Sequence, residues 1–428
     1  MVARVVSDAR CPGALHAVDA RDGLLARIRV PGGCLSNDAL RELADLCERD
    51  ADGALDITAR ANVQVRGLSN GTLERFGASL LAAGLVTSRS HERVRNIVAS
   101  AFAGFDADER VDVRPVVRAF DRLLAAAADL ADLPAKFVVA IDGGGFPIDR
   151  ARADLALVAR RCDDGERFAL WIGGVDAGVS VAISDGAELL VAAARAALAH
   201  AHDVCGPDDR RWRLARLSGA RESIVADVAA LRIVAHPVAH PASPVRARSP
   251  RGIRAANRPD RANVVPSVPL GRLSAAQARA LARLADRAGA EVRLGTWRGV
   301  ALVGVARDAL ARLADELARC GLPLDGRDGF DGVAACAGTS GCASSFADVR
   351  AHAVAYAARV ARDRATRRDA QTLNISGCEK RCAMRAGADI DFIARAGGYD
   401  VVVRGALVAT AVSSEAALER ACIEATRG

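Results

Sequence analysis

The chain is poor in aromatic residues, nearly free of lysine, and without a long apolar run. Aromatics make up 4% of its 428 residues, too few for the stacking platforms of a nucleic-acid binder. The 59 basic residues are interspersed with 52 acidic ones and form no long block. A net charge of +7 spread in this way suits a polyanionic small molecule better than a nucleic acid. No apolar run reaches the ~18–20 residues of a membrane span, because Arg, Asp or His interrupts every Ala-rich stretch. The opening MVARVVSDARCPG lacks the apolar core of a secretory signal. We therefore expect a soluble, cytoplasmic protein with neither nucleic acid nor membrane as partner. A hydrophobic content of 51% excludes wholesale disorder and allows large cores.

Eleven cysteines is an odd number, and without a secretory signal a disulfide framework is not expected. Cys11, Cys34, Cys47, Cys162, Cys205, Cys320 and Cys422 are scattered and read as core or surface thiols. The other four fall in two local pairs, Cys336-AGTSG-Cys342 and Cys378-EKR-Cys382. Four thiolates in two pairs are what a tetrahedral zinc or an iron–sulfur cube requires. Zinc modules mostly use gaps of two to four residues, whereas five small residues separate the first pair here. Such residues let backbone N–H groups point at inorganic sulfurs, so a four-iron cluster is the first reading and zinc the alternative.

An internal repeat organises the rest. Gly33, Leu35, Ser36, Arg41, Leu43, Ala44 and Leu46 match Gly271, Leu273, Ser274, Arg279, Leu281, Ala282 and Leu284 at a constant offset. Both copies read as a strand, a Ser N-cap, an amphipathic helix and two short strands around a turn. A duplicated unit implies two copies packed as a pseudo-twofold pair. Each is followed by an α/β region with long Ala/Leu/Arg helices: Asp112 to Ala131, Asp185 to His202, and Ala347 to Ala365. Between the halves, a proline-rich stretch from His236 reads as an extended or irregular connector. The expected units are 11–75 and 263–310 for the repeat, 76–235 and 311–428 for the α/β regions, and 236–262 for the connector.

The C-x5-C and C-x3-C pairs resemble the cluster signature of the nitrite and sulfite reductase superfamily. That resemblance covers nearly the whole chain. It implies an α+β fold of duplicated halves, with two ferredoxin-like half-domains paired about a pseudo-twofold axis plus two larger α/β domains. It also implies a [4Fe–4S] cluster on Cys336, Cys342, Cys378 and Cys382, with Cys382 placed to bridge to a siroheme iron. Three further segments resemble the family's anion-binding strands: Thr58-Ala-Arg60-Ala-Asn62-Val-Gln64-Val-Arg66-Gly67, Val94-Arg95-Asn96-Ile97, and Leu133-Pro134-Ala135-Lys136-Phe137. The residues themselves support this. Only Lys136 and Lys380 remain as lysines among 59 basic residues, and a lysine kept where arginine is otherwise used points to a need for a compact ammonium.

The family's sulfite reducers carry a second lysine where this chain has Val138. The opening Cys11-Pro-Gly-Ala-Leu15, the segment Asp22 to Arg27, and Gly295-Thr-Trp-Arg298 look instead like the precorrin-3B synthases. That branch implies oxygenation of precorrin-3A with closure of a lactone, using oxygen and an electron donor, either reduced nicotinamide or a separate reductase. On this reading Arg60, Arg95 and Lys136 are catalytic, and Arg60, Arg66, Arg95, Lys136 and Arg298 bind substrate carboxylates, which arginine forks match well. The second iron is siroheme-like through Cys382 or mononuclear and non-haem. His236 and His240 form a pair for a facial triad, but they open the connector and read as exposed. His16 and His91 read as structural, and so do His200 and His202 at a helix end. A siroheme-dependent sulfite or nitrite reductase and a non-catalytic iron–sulfur carrier are the alternatives.

Overall fold

Ser36 and Ser274 open equivalent helices in the two halves. The computed structural model describes residues 11–236, 250–362, 371–385 and 387–427. The Ser36 hydroxyl accepts from Ala39 N at 3.1 Å and caps Asn37–Asp50. Ser274 accepts from Gln277 N at 3.1 Å at the head of Ala275–Arg287, and Gln277 returns a bond to Ser274 N at 3.0 Å. Each cap satisfies amides that helix geometry leaves unpaired, a contribution of about 1 kcal/mol. Leu40, Leu43 and Leu46 on one helix and Leu281, Ala282 and Ala285 on the other are buried in a common core, where the two helices pack together.

Each half lends the segment ahead of its helix to the other half. The first sheet runs in the order Val18–Ala20, Gly23–Ile28, Val63–Leu68, Ala54–Ile57, and takes Arg272–Ser274 as its fifth, antiparallel strand. The second runs Gly252–Ala255, Arg261–Val265, Gly299–Ala306, Glu291–Gly295, and Cys34 bridges to its Arg293. Gly33 and Gly271 make this exchange possible. Both have left-handed backbones (φ 67° and 73°), and a β-carbon would lie 2.3 Å from Leu294 O at the first and 2.9 Å from Arg298 O at the second.

The connector differs from expectation at its end. Gly252–Ala255 and Arg261–Val265 are paired strands, counterparts of Val18–Ala20 and Gly23–Ile28. Their Gly, Arg and Asn content hides the period-two signal. Residues 237–249, including His240, lie outside the described residues.

The two α/β units share one topology. Ile97–Ala99, Val139–Asp142 and Leu155–Cys162 are parallel neighbours, continued by antiparallel Gly165–Ile172 and Val175–Ala182, with Val234–Ala235 at the edge. Val333–Ala335, Leu373–Ser376 and Ile390–Arg395 repeat the parallel set, followed by antiparallel Gly398–Val403 and Ala406–Val412. Helices Arg114–Ala126 and Gly186–Cys205 accompany the first sheet, Val349–Arg362 and Ser414–Arg427 the second. The registers Ile97↔Val139 and Val333↔Leu373 correspond, which places Ser100 where the second unit has Cys336, and Gly144 where it has Cys378. Among the described residues no helix is long and apolar enough to cross a membrane.

Candidate active site

All four units meet around one cavity of about 1460 Å³, larger than the roughly 300–1,000 Å³ typical of a drug-sized ligand. Twelve basic side chains line it against four acidic ones. Both lysines of the chain, Lys136 and Lys380, are among the twelve.

The first half-sheet supplies one wall. Leu25 and Arg27 on one strand, and Gln64 and Arg66 on its neighbour, line the cavity at alternate positions, as strand geometry requires of one face. Arg27 Nε donates to Gln64 Oε1 at 3.1 Å. Arg60 stands in the turn between Ala54–Ile57 and Val63–Leu68. There Thr58 Oγ1 accepts from Arg60 N at 3.3 Å and Asn62 N at 3.1 Å. Burial pushes the Arg27 guanidinium down to about 10, with the Arg60 charge adding to the effect. Burial and the nearby Arg213 push Arg60 down as well, and Arg298 is lowered chiefly by burial. A wall of partly desolvated cations that outnumber its acidic groups is prepared for an anionic ligand.

The sequence-derived cations take different places. Arg60, Arg66, Lys136 and Arg298 all line the cavity. Arg60 and Lys136 make no side-chain ion pair among the described residues. Lys136 has Val98 and Val138 as apolar companions on the wall. Arg66 is engaged: its Nε and Nη2 hold Asp22 at 2.7 and 2.9 Å, and Nη2 also donates to Gly341 O. Arg95 is not on the wall. Its guanidinium, 5% exposed, grips both oxygens of Asp121 at 2.7 Å, tying the segment before Ile97–Ala99 to the helix Arg114–Ala126.

Cys336, Cys342, Cys378 and Cys382 line the same cavity, carried by the loops after Val333–Ala335 and Leu373–Ser376, at the carboxyl ends of parallel strands. Gly377 N donates to Cys336 Sγ at 3.2 Å, the kind of amide–sulfur bond a cluster ligand receives. Phe346 N donates to Gly377 O at 2.8 Å, so the two loops are joined. A β-carbon on Gly377 would lie 1.9 Å from Ser345 Oγ, which explains the glycine. Arg298 Nη2 donates to Cys382 O at 3.1 Å, and Arg298 and Arg381 are both left-handed (φ 64° and 45°), a strain of the kind held at functional sites. Among the described residues no three His, Cys, Asp or Glu side chains are gathered as around a single metal ion. The donor set of four thiols on one cavity, with a backbone N–H on sulfur, fits an iron–sulfur cluster.

No described histidine lines the cavity. His16 Nδ1 pairs with Glu92 at 2.7 Å, and His91 Nε2 donates to Ala127 O at 2.9 Å. His200 Nε2 donates to Ser218 O at 2.9 Å. His236 corrects the reading of an exposed residue: its side chain is 6% exposed, with Nε2 at 3.0 Å from Asp176, because the strand Val234–Ala235 lays it against the edge of the sheet. The site also contains residues not singled out from sequence as ligands. Arg27, Arg213, Arg350 and Arg385 line the cavity. Of these only Arg27 had a signal, its period-two spacing from Leu25. Cys11, read as a scattered thiol, lines the cavity too. Trp297 does as well, seated because a β-carbon on Gly295 or Gly299 would lie 2.4 or 2.5 Å from its indole.

The nitrite/sulfite reductase ferredoxin-like half domain matches residues 18–83 and again residues 257–320. The nitrite and sulphite reductase 4Fe-4S domain matches residues 90–191. The chain belongs to the nitrite and sulfite reductase superfamily. Its repeated match is the duplication found in the sheets. The 4Fe-4S domain match falls on the first α/β unit, which contains none of the four clustered cysteines. They occupy the second unit, whose five strands repeat the order of the first unit's sheet without its edge strand Val234–Ala235. Precorrin-3B synthase of Sinorhizobium sp. is 26% identical over 92% of this chain and 83% of its own length. The chloroplastic ferredoxin–nitrite reductase of Zea mays is 28% identical over 86% of this chain and 69% of its own. The NirA protein of Mycobacterium tuberculosis has the same fold, with a TM-score of 0.74 at 23% identity, over 90% of this chain and 75% of that one. Membership makes the chain an oxidoreductase with a [4Fe–4S] cluster coupled to a second centre such as siroheme.

Proposed function

We propose that this chain is a precorrin-3B synthase, which hydroxylates precorrin-3A with molecular oxygen and closes a lactone from a ring acetate. The observation that carries this reading is the wall around Lys136: one unpaired ammonium beside Val138 and Val98. A sulfite-sized dianion has no apolar body and needs several cations converging on it. A tetrapyrrole needs an apolar face for the ring and cations at the rim for its carboxylates. The cavity's volume and basic lining support that ligand, and the greater share of the precorrin-3B synthase relative that is matched, 83% against 69% of the maize enzyme, favours the same branch.

The reaction balances as a monooxygenation. One oxygen atom stays on the tetrapyrrole, and the other leaves as water with two electrons from the donor and two protons. Arg60 binds a carboxylate in bidentate fashion, and Arg298, with Nη2 on Cys382 O, offers its free Nη1 to another, orienting the ring. Lys136 holds a proton at Nζ, available to the oxygen that departs as water, while Val98 and Val138 keep water from the ring face. Cys336, Cys342, Cys378 and Cys382 would hold the cluster, which would supply single electrons to the reaction.

A siroheme-dependent sulfite or nitrite reductase is the second reading, favoured by the unpaired Arg60 and Lys136, which suit a small anion. The test supplies precorrin-3A and sulfite or nitrite to one anaerobically purified, cluster-loaded preparation, with labelled oxygen in the precorrin assay. One labelled oxygen in a lactone product, with negligible sulfite and nitrite reduction, is expected. Rapid sulfite or nitrite reduction, or a product without label, overturns the proposal in favour of the reductase.

A further inference from the structure

Two arginines reach from the half-sheets to the backbone of the two cysteine loops, one to each. Arg66, on Val63–Leu68, donates to Gly341 O inside the Cys336–Cys342 loop, 275 residues away. Arg298, in the turn before Gly299–Ala306, donates to Cys382 O at the end of the Cys378–Cys382 loop. Neither contact is loose. Asp22 fixes Arg66 through two bonds of 2.7 and 2.9 Å, and the Arg66 side chain is 6% exposed. A β-carbon on Gly341 would lie 2.6 Å from Arg66 Nη2 and 2.9 Å from Asp22 Oδ2, so the loop is shaped around the ion pair. Arg298 holds its position with a left-handed backbone, and Arg381, one residue before Cys382, is left-handed too.

We propose that Arg66 and Arg298 are positioning residues that clamp the two cysteine loops, each half-sheet holding one loop through one guanidinium. The inference rests on the reading that the four thiols hold the cluster. It gives Arg66 a task other than substrate binding, since its Nε and Nη2 are already engaged. Two consequences follow from the chemistry. A charge-assisted bond to each loop preorganises its thiols, which slows cluster loss. A positive charge beside the cluster favours its reduced, more negative state, which raises the reduction potential.

The experiment uses anaerobically prepared holoprotein and reads two quantities besides activity: the midpoint potential by electron paramagnetic resonance, and the rate of iron loss to a chelator. Arg66→Gln and Arg298→Gln are expected to lose iron on the order of tenfold faster, as removal of one charge-assisted bond implies, and to show a lowered potential. Asp22→Asn, which loosens Arg66 without removing it, shifts iron loss the same way by less. Arg66→Lys and Arg298→Lys keep the charge but lack the planar fork, so they recover the potential more than the iron retention, and they keep the test open should a glutamine variant fail to fold. Arg195→Gln, whose exposed guanidinium pairs with Asp129 away from the cavity, leaves both readings unchanged. Cluster-loaded wild type with both glutamine variants indifferent in potential and iron loss overturns the clamp alone. Wild type isolated without iron and sulfide overturns the cluster reading, and the clamp with it.

Discussion

Asp154 and Asp389 perform the same task in the two halves of the molecule. Asp154 Oδ2 accepts from Val138 N at 3.0 Å, and Asp389 Oδ2 accepts from Thr372 N at 2.8 Å. Each aspartate directly precedes the third parallel strand of its sheet and holds the amide directly preceding the second. The duplication is therefore conserved at the level of single hydrogen bonds, though the residues being held, Val138 and Thr372, differ. Asp154 also accepts from Leu214 N at 3.0 Å and binds Arg213 Nε at 2.8 Å, and Asp389 Oδ2 accepts from Thr372 Oγ1 at 2.8 Å. Its bonds make Asp154 the fixed point behind the Lys136–Val138 wall.

Replacing Asp154 tests this. The carboxylate is 1% exposed, and Asp154→Ala leaves two buried amides and one guanidinium without their acceptor. Removing one member of a buried charged network costs on the order of 3–5 kcal/mol. Urea unfolding is expected to show a loss of that size, whereas an unchanged midpoint and slope would mean that the network adds nothing.

The cysteine assignment makes a sharper distinction between thiols. Cys378→Ser is expected to lose most iron and acid-labile sulfide, because one of four ligands is gone. Cys320→Ser is expected to lose none, since Cys320 is not on the cavity wall and its backbone carbonyl accepts from Gln277 Nε2 at the end of another helix. Metal and sulfide analysis of the two purified variants decides it. Full cluster content in Cys378→Ser would remove that residue from the ligand set.

What was legible in the sequence was local or periodic. The Ser36 and Ser274 caps lie within three residues of the amides they satisfy, and the constant offset between them exposes the duplication. The cysteine spacings are local as well, and the scarcity of lysine led to two residues that share one cavity. What was not legible depends on long-range pairing. Arg95 and Arg66 look alike as exposed cations in a motif, yet one is committed to Asp121 and the other to Asp22 and Gly341. No local pattern tells a free arginine from one that will meet an aspartate across the fold. Gly252–Ala255 was missed for another reason: its residues are half exposed at a sheet edge, so hydrophobic alternation never develops.

Glu109 sets a pH dependence away from the cavity. Burial pushes its carboxyl up to about 7, and the neighbouring Asp112 and Asp106 add to the rise against the bond from Gly104 N. The folded state therefore keeps a proton here that the unfolded chain loses above its ordinary value of 4.5. Between those two values the native state binds more protons, so this residue's contribution to stability falls as pH rises. Glu109→Gln cannot ionise. Relative to wild type it is expected to gain stability from pH 5 up to about pH 7 and then level off, as read by urea unfolding at each pH. A pH-independent difference between the two proteins would assign the titration elsewhere.

Val138 is where the choice of substrate is most exposed to test. Its side chain is 6% exposed and lines the cavity beside Lys136, while its amide is held by Asp154. The backbone is thus fixed, and a longer side chain at this position has the cavity to enter. Val138→Lys sets a second ammonium on the cavity wall two residues beyond Lys136, which stands in the turn ahead of the strand Val139–Asp142. For a tetrapyrrole this replaces an apolar contact by a charge under the ring and removes space. For a small dianion it adds a charge-assisted contact, worth about 1.5–3 kcal/mol. The variant is therefore expected to lose precorrin turnover by on the order of a hundredfold, if the disfavoured contact costs about 2.7 kcal/mol, while sulfite binding, followed by its perturbation of the cofactor spectrum, becomes tighter. The opposite ordering, with precorrin turnover intact and no gain in sulfite affinity, would mean that Val138 does not face the reacting ligand. Lys136→Gln in the same assays separates the two roles, since a residue that serves both ligands loses both activities together.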